Sequence, residues 1–161
     1  VRNMGLVEGQ DLFSDNGWEK IRLKSESAIK AWIDSEMKMR SCVVVLIGNK
    51  TASRKWVQYE IEQAWKLGKG LVGIYIHNLA NSVGEQAEKG HNPFDDFCID
   101  KTFNYIVHNS KPADANEIRL SSICTAYNPD WYTSKYVYDD IKSNIERLIE
   151  DAITIRNRFP K

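Results

Sequence analysis

The chain has 161 residues, 42% of them apolar, with 22 basic and 22 acidic side chains and a formal net charge of zero. That is enough chain for one domain with a substantial core, and the apolar content excludes a wholly disordered polypeptide. The balanced charge leaves no domain-wide electrostatic footprint for nucleic acid or an anionic membrane, so small or neutral partners fit better.

In chain order, residues 1–10 contain Gly5 and Gly9 and read as a loop. Residues 11–14 read as a short strand closed by the turn signal Asp15-Asn16-Gly17. Residues 25–39 carry Ala28, Ile29, Trp32, Ile33 and Met37 at helical spacing, a single core-facing stripe. The run Cys42-Val43-Val44-Val45-Leu46-Ile47 has no alternation and three valines, so it reads as a parallel strand buried on both faces. Gly48 and Asn49 break it, Thr51 or Ser53 is placed to cap the next helix, and that helix is expected over about residues 53–67. Its apolar face is Val57, Ile61, Ala64 and Trp65, and Gly68 stops it. Residues 71–76 form a second apolar strand ending at His77-Asn78, which completes a βαβ unit.

Residues 79–93 are polar and glycine-containing, which predicts a long surface loop, and Asn92-Pro93-Phe94-Asp95 predicts a turn anchored by a buried aromatic ring. Residues 103–107 alternate like an edge strand, 118–124 read as a further strand, and 127–132 as an aromatic loop. The last helix is expected over 136–157, with Val137, Ile141, Ile145, Leu148, Ala152 and Ile155 on one stripe. The fold class is therefore α/β, with one domain over 1–161 and a loop-rich elaboration at about 79–135.

The cysteines at 42, 98 and 124 are odd in number, widely spaced and without a CxxC pair, so neither a disulfide framework nor a zinc site is expected and the cytoplasm is the default compartment. No apolar run reaches the length of a membrane span. No histidine pair has metal-ligand spacing, and GxxxxGK[ST] and GxGxxG are both absent. A receiver-type phosphoacceptor fails as well, because Gly48-Asn49 stands where its aspartate would be. What remains is the strand-end rule: in open α/β sheets ligands bind at the carboxyl ends of the strands. Glu60 lies one helical turn after Trp56 on the helix leaving such an end, and His77 ends the second strand. Glutamate is common on exposed helix faces, as Glu62 illustrates, so spacing alone leaves Glu60 open between a solvated carboxylate and a functional one. Trp56 reads first as core, Asp15 and Asn16 as turn formers, and Trp131, Tyr132, Tyr136 and Tyr138 as a patch that docks the last helix.

Val43–Gly48 followed by Ser53-Arg54-Lys55-Trp56-Val57-Gln58-Tyr59-Glu60-Ile61 resembles the strand and helix signature of TIR domains. Their Ser-x-x-Trp-x-x-x-Glu pattern carries the glutamate of the NAD-cleaving members. The continuation through residues 70–78 and Asn92-Pro93-Phe94-Asp95 is similar to the bacterial TIR-like family that includes the signal-producing enzyme of Thoeris anti-phage systems. The resemblance implies a flavodoxin-like three-layer fold with a mainly parallel central sheet. Such domains open with a strand and helix that this chain, starting at Val1, lacks on this reading. It further implies cleavage of the bond between nicotinamide and ribose in NAD, giving an ADP-ribose-type product, linear or cyclic, in defence signalling. Glu60 would be the catalytic carboxylate, with Asp15, Trp18, Asn49 and Trp56 binding substrate. NAD would be substrate rather than cofactor, no metal would be needed, and the partner would be a second copy in a homo-oligomer. Two other readings stay open: a non-catalytic TIR-type interaction module, and an enzyme resembling the nucleoside deoxyribosyltransferases.

Overall fold

The computed structural model describes residues 23–100, 106–108 and 117–160. They fall into two compact units, one up to Met39 and one from Arg40 onward.

In the first unit, helix α1 (Glu26–Lys38) forms where the stripe predicts it. Ser25 caps it, its hydroxyl accepting from the Ala28 amide at 3.4 Å. Glu26 in the first turn and Lys38 in the last complement the helix dipole, and Glu26 pairs with Lys30 one turn on, at 3.1 Å. Ile29, Ile33 and Met37, four apart, are the buried residues, while Trp32 is only half-buried.

The second unit opens with β1 (Cys42–Ile47), α2 (Lys55–Lys66) and β2 (Gly70–Tyr75), the predicted βαβ unit. The strands pair in parallel from Cys42 with Gly70 to Ile47 with Tyr75, and the Ile76 amide extends the ladder to the Ile47 carbonyl at 3.0 Å. Strand β6 (Ala126–Tyr127) joins the far side of β2, also parallel, giving the order β1-β2-β6. The architecture is α/β with a parallel sheet, as expected of a flavodoxin-like TIR fold. The expected opening strand at 11–14 and the turn after it lie outside the described residues, as does the expectation that a first strand and helix are lacking. All six residues of central β2 are buried. β1 departs from the reading of a strand buried on both faces: only Val45 and Ile47 are buried, and Val44 and Leu46 are half-exposed. Among the described residues β1 has a sheet neighbour on one side, which is why its pattern is less complete than that of β2.

The loop from Ile76 ends in a 3-10 turn (Pro93–Asp96) that buries Phe94, as predicted, with the Asn92 side chain accepting from the Phe94 amide at 3.1 Å. A separate antiparallel sheet follows, built of β3 (Phe97–Asp100), β4 (Ile106–His108) and β5 (Glu117–Arg119) in the order β4-β3-β5. The sequence reading had no strand at Phe97–Asp100; Phe97, Cys98 and Ile99 are all buried, so the segment is too short and too uniform to show a period of two. The strand expected over 118–124 is also corrected. It stops at Arg119, and a 3-10 turn (Leu120–Ser122) takes over, with the Cys124 amide on the Leu120 carbonyl at 2.8 Å and the Ser122 hydroxyl on the Arg119 carbonyl at 2.7 Å. A serine hydroxyl that offers the backbone a local partner competes with a strand ladder.

Helix α3 (Ser134–Arg156) runs back along β2 and buries Val137, Ile141, Leu148 and Ala152. Arg156 prolongs that stripe and is itself buried: its guanidinium donates to the Trp65 carbonyl at 2.8 Å and lies 4.4 Å from the Trp65 ring centre. The two glycines of β2 show how closely the layers approach. A Cβ on Gly70 would stand 2.8 Å from the Ile153 backbone nitrogen, and one on Gly73 would stand 2.7 Å from Ile47 Cδ1 and 3.2 Å from the Phe94 ring. Residues three apart on a strand point to opposite faces, so α3 covers one face of β2 and Phe94 the other.

Gly70→Ala must push backbone rather than a flexible side-chain end, and overpacking of this kind costs ~1–3 kcal/mol. Ile61 is fully buried, and its truncation to alanine is expected to cost ~2–5 kcal/mol. Urea unfolding should show both midpoints lowered with unchanged slopes; a Gly70→Ala midpoint equal to wild type would contradict this packing.

Candidate active site at the carboxyl ends of the parallel strands

The turn after β1 is latched by one side chain. Thr51, nearly buried, accepts from the Gly48 amide at 2.9 Å and donates to the Leu46 carbonyl at 3.0 Å, while its own amide reaches the Gly48 carbonyl at 3.2 Å. The threonine therefore closes the strand end instead of capping the helix, which corrects one expectation. Ser53 does not cap either, since its hydroxyl donates to the Lys50 carbonyl at 3.1 Å. The N-cap is Arg54, without a side-chain hydrogen bond, and Gln58 ties the first turn back to the Ala52 carbonyl at 2.9 Å. At the other end Gly68 has φ +70°, its amide bonds the Trp65 carbonyl, and the Lys69 amide bonds the Ala64 carbonyl. This is a Schellman stop of the kind glycine permits, and it is the stop predicted at that residue.

α2 is thus fixed at both ends, and Glu60 is its sixth residue, ~9 Å along the axis from the cap at 1.5 Å per residue. Its side chain is half-buried, and among the described residues it has no hydrogen bond and no ion pair. Burial, with no donor to offset it, raises its carboxyl from the ordinary 4.5 to about 7. Glu62, two residues on, pairs with Lys66 instead. Trp56 is half-buried one turn before Glu60, edge-on to Tyr59 at 6.3 Å, with the Lys55 ammonium 5.3 Å from its ring centre. It is therefore not the core residue that its type suggests. Asn49 is exposed in the turn after β1. Asp15 and Trp18, the other expected binding residues, lie outside the described residues.

The neighbouring strand end adds to His77 two groups, Tyr75 and Lys89, that the sequence reading did not single out. Tyr75, buried, stands edge-on to His77 at 5.9 Å, and the Lys89 ammonium sits 4.5 Å above the Tyr75 ring. Burial, then the nearby Lys89 charge, lowers the basicity of His77. Among the described residues its buried Nδ1 has no hydrogen-bond partner. Burial, then Asp95, raises the Tyr75 phenol. The loop carrying Lys89 returns across the end of β1 so closely that a Cβ on Gly90 would fall 2.1 Å from the Gly48 carbonyl oxygen. His77 could be found from its place at the strand end, whereas Lys89 lies in an irregular loop that no periodicity locates. Among the described residues no three His, Cys, Asp or Glu side chains converge as a metal site, and no helix is long and apolar enough to cross a membrane.

The strand, turn, helix and strand just described coincide with what the chain shares with known proteins. Residues 2–81 match the family described as Thoeris protein ThsB, TIR-like domain. A protein of Bacillus cereus (strain MSX-D12), provisionally named cyclic ADP-D-ribose synthase ThsB1, is 36% identical over 84 residues, which are 52% of this chain and 44% of that relative. The chain thus spans less than half the length of the curated relative it matches. Through residues 2–81, which carry the whole βαβ unit and Glu60, the chain belongs to the bacterial TIR-like domain family.

Proposed function

We propose that the chain cleaves the nicotinamide–ribose bond of NAD and that Glu60 is the catalytic residue. The observation that carries this reading is a half-buried carboxyl, raised to about 7 and without a partner among the described residues, on the helix of the family-matched unit. Such a group is costly to keep and is typical of sites rather than of solvated helix faces. In the reaction the C1′–N bond breaks heterolytically. Both electrons go to the pyridinium nitrogen, so neutral nicotinamide leaves and positive charge develops on the ribose as an oxocarbenium ion, as in glycoside hydrolysis. Ionised Glu60 stabilises that charge and holds the ribose hydroxyls. A water that attacks C1′ and loses its proton gives ADP-ribose; an adenine nitrogen of the same nucleotide gives a cyclic product. The name of the Bacillus cereus relative favours the cyclic outcome. Trp56 and Asn49 shape the pocket beside Glu60, and assembly with a second copy completes it.

Mass spectrometry after incubation with NAD should show free nicotinamide and an ADP-ribose-type product. Glu60→Gln should lower kcat/KM by ~10²–10³, the usual size of one lost electrostatic stabiliser. Turnover that survives Glu60→Gln unchanged would exclude this residue as the catalytic group.

Because the charged form acts, kcat/KM should rise with pH through about 7 and level off above it. A profile flat from about pH 5 to 8 would contradict the assignment.

The same shift has a consequence for stability. The folded chain binds the Glu60 proton more tightly than the unfolded chain, so stability falls as pH rises from 4.5 through about 7, and the full cost persists above that. At about pH 8, Glu60→Gln should be more stable than wild type by ~1–3 kcal/mol, one pKa unit being worth ~1.4 kcal/mol before allowance for partial solvation. The difference should vanish near pH 4.5 in paired urea titrations, and a variant no more stable than wild type at the higher pH would count against a desolvated carboxyl.

A further inference from the structure

Outside the family-matched residues, at the start of α3, an open cavity of about 230 Å³ is lined by Trp131, Tyr136, Asp139, Asp140 and Ser143. Two of its walls are aromatic faces: the Trp131 and Tyr136 rings lie 5.5 Å apart and tilted by 52°, and each residue is about half exposed. The sequence reading made this cluster a packing patch for the last helix. The packing is done instead by Val137 and Ile141, which are buried, while Trp131 and Tyr136 face outward.

The cavity is a built one. Asn78 donates to the Trp131 carbonyl at 2.9 Å, Gln86 to the Tyr132 carbonyl at 2.6 Å, and the Ser134 hydroxyl accepts from the Ala80 amide at 2.9 Å. Three contacts from the loop after β2 therefore hold the segment that presents the indole. Asp140 is fixed as well, accepting from the Tyr127 hydroxyl at 2.6 Å and from the Asn144 amide at 3.3 Å.

No cation lines the cavity, and Asp139 and Asp140 form no ion pair among the described residues. Among the described residues neither Lys135 nor Lys142, on the same helix, pairs with either carboxylate. Two tilted π faces and two carboxylates without an ion pair among the described residues, in one concavity, suit a delocalised or alkylated cation, because ring quadrupole and carboxylate charge attract it together. An anion would meet the carboxylates, and a neutral apolar group would strand them.

We propose that this cavity binds a small organic cation of the guanidinium or alkylammonium class. The inference is independent of the NAD reading, since none of its residues lies in the βαβ unit.

Isothermal titration calorimetry of the chain with agmatine tests it, with N-pentylurea, of the same length and uncharged at both ends, as the neutral isostere. Agmatine should bind saturably with one site, and the isostere at least tenfold more weakly. Asp139→Asn, an exposed helix position whose change leaves the fold intact, should weaken agmatine at least tenfold. Trp131→Phe should weaken it severalfold, and Trp131→Ala should abolish it. A peptide carrying one arginine, run alongside, separates the sources: comparable affinity marks a free cation, and affinity at least tenfold above agmatine marks a protein side chain. Absence of saturable agmatine binding, equal binding of the isostere, or binding unchanged in Asp139→Asn and Trp131→Phe would overturn the assignment. NAD turnover in Asp139→Asn should equal that of wild type, so failure of this site and failure of the Glu60 assignment are distinguishable.

Discussion

Closure of the crossover between β1 and β2 governs the rest of the structure. At its start, Thr51 joins the Gly48 amide to the Leu46 carbonyl and ends the strand. At its finish, Gly68 in the left-handed region lets the Ala64 and Trp65 carbonyls find partners as the chain turns into β2. Between these two points α2 is anchored at both ends, and Glu60 is held where burial makes its charge expensive. An ordinary surface helix would let a glutamate at that position reach water, as Glu62 does beside Lys66. The constraint is therefore set by backbone closure and only then expressed as electrostatics.

The same fixing extends through the layers. β2 can lie against α3 because Gly70 has no Cβ, and against Phe94 because Gly73 has none. Arg156 then joins the far end of α3 to the end of α2 by donating to the Trp65 carbonyl. A buried guanidinium is costly unless satisfied; here three carbonyls serve the two terminal nitrogens and the Trp65 ring lies against the group, while the buried Nε has no partner among the described residues. The helix that carries Glu60 is thus braced at its carboxyl end by a residue nearly a hundred positions away. A strained or desolvated group persists only where its surroundings hold it in place, and this bracing supplies that.

What was legible in the sequence follows from how local each signal is. The β1 run, the α2 stripe, the Gly68 stop and the long α3 stripe are periodic or positional, and each stands within two residues of its predicted bounds. The Thr51 cap was misread because a threonine near a helix start serves equally well as a strand-end latch, and only the path of the turn decides. β3 was missed because a four-residue strand whose first three residues are all buried shows no alternation. The fate of residues 118–124 turned on a serine hydroxyl that finds a backbone carbonyl, which no apolar pattern encodes. At the site, Glu60 and His77 were visible from the strand-end rule. Lys89 and the Gly90 approach to Gly48 were not, because they depend on a loop folding back over a strand with which it shares no periodicity. Trp131 and Tyr136 were visible as aromatic residues, but their outward direction is a tertiary fact.

Every step of the proposed reaction rests on the state of one carboxyl, so its direct titration is the decisive measurement. Carbon-detected NMR of a sample labelled at glutamate side chains, with Glu60→Gln to assign the resonance, reads the Glu60 pKa without reference to turnover. A midpoint near 7, well above those of Glu62 and the other surface glutamates, is the result predicted here. A Glu60 midpoint near the ordinary 4.5 would show a solvated carboxylate, and the account of this helix as the seat of the chemistry would fall.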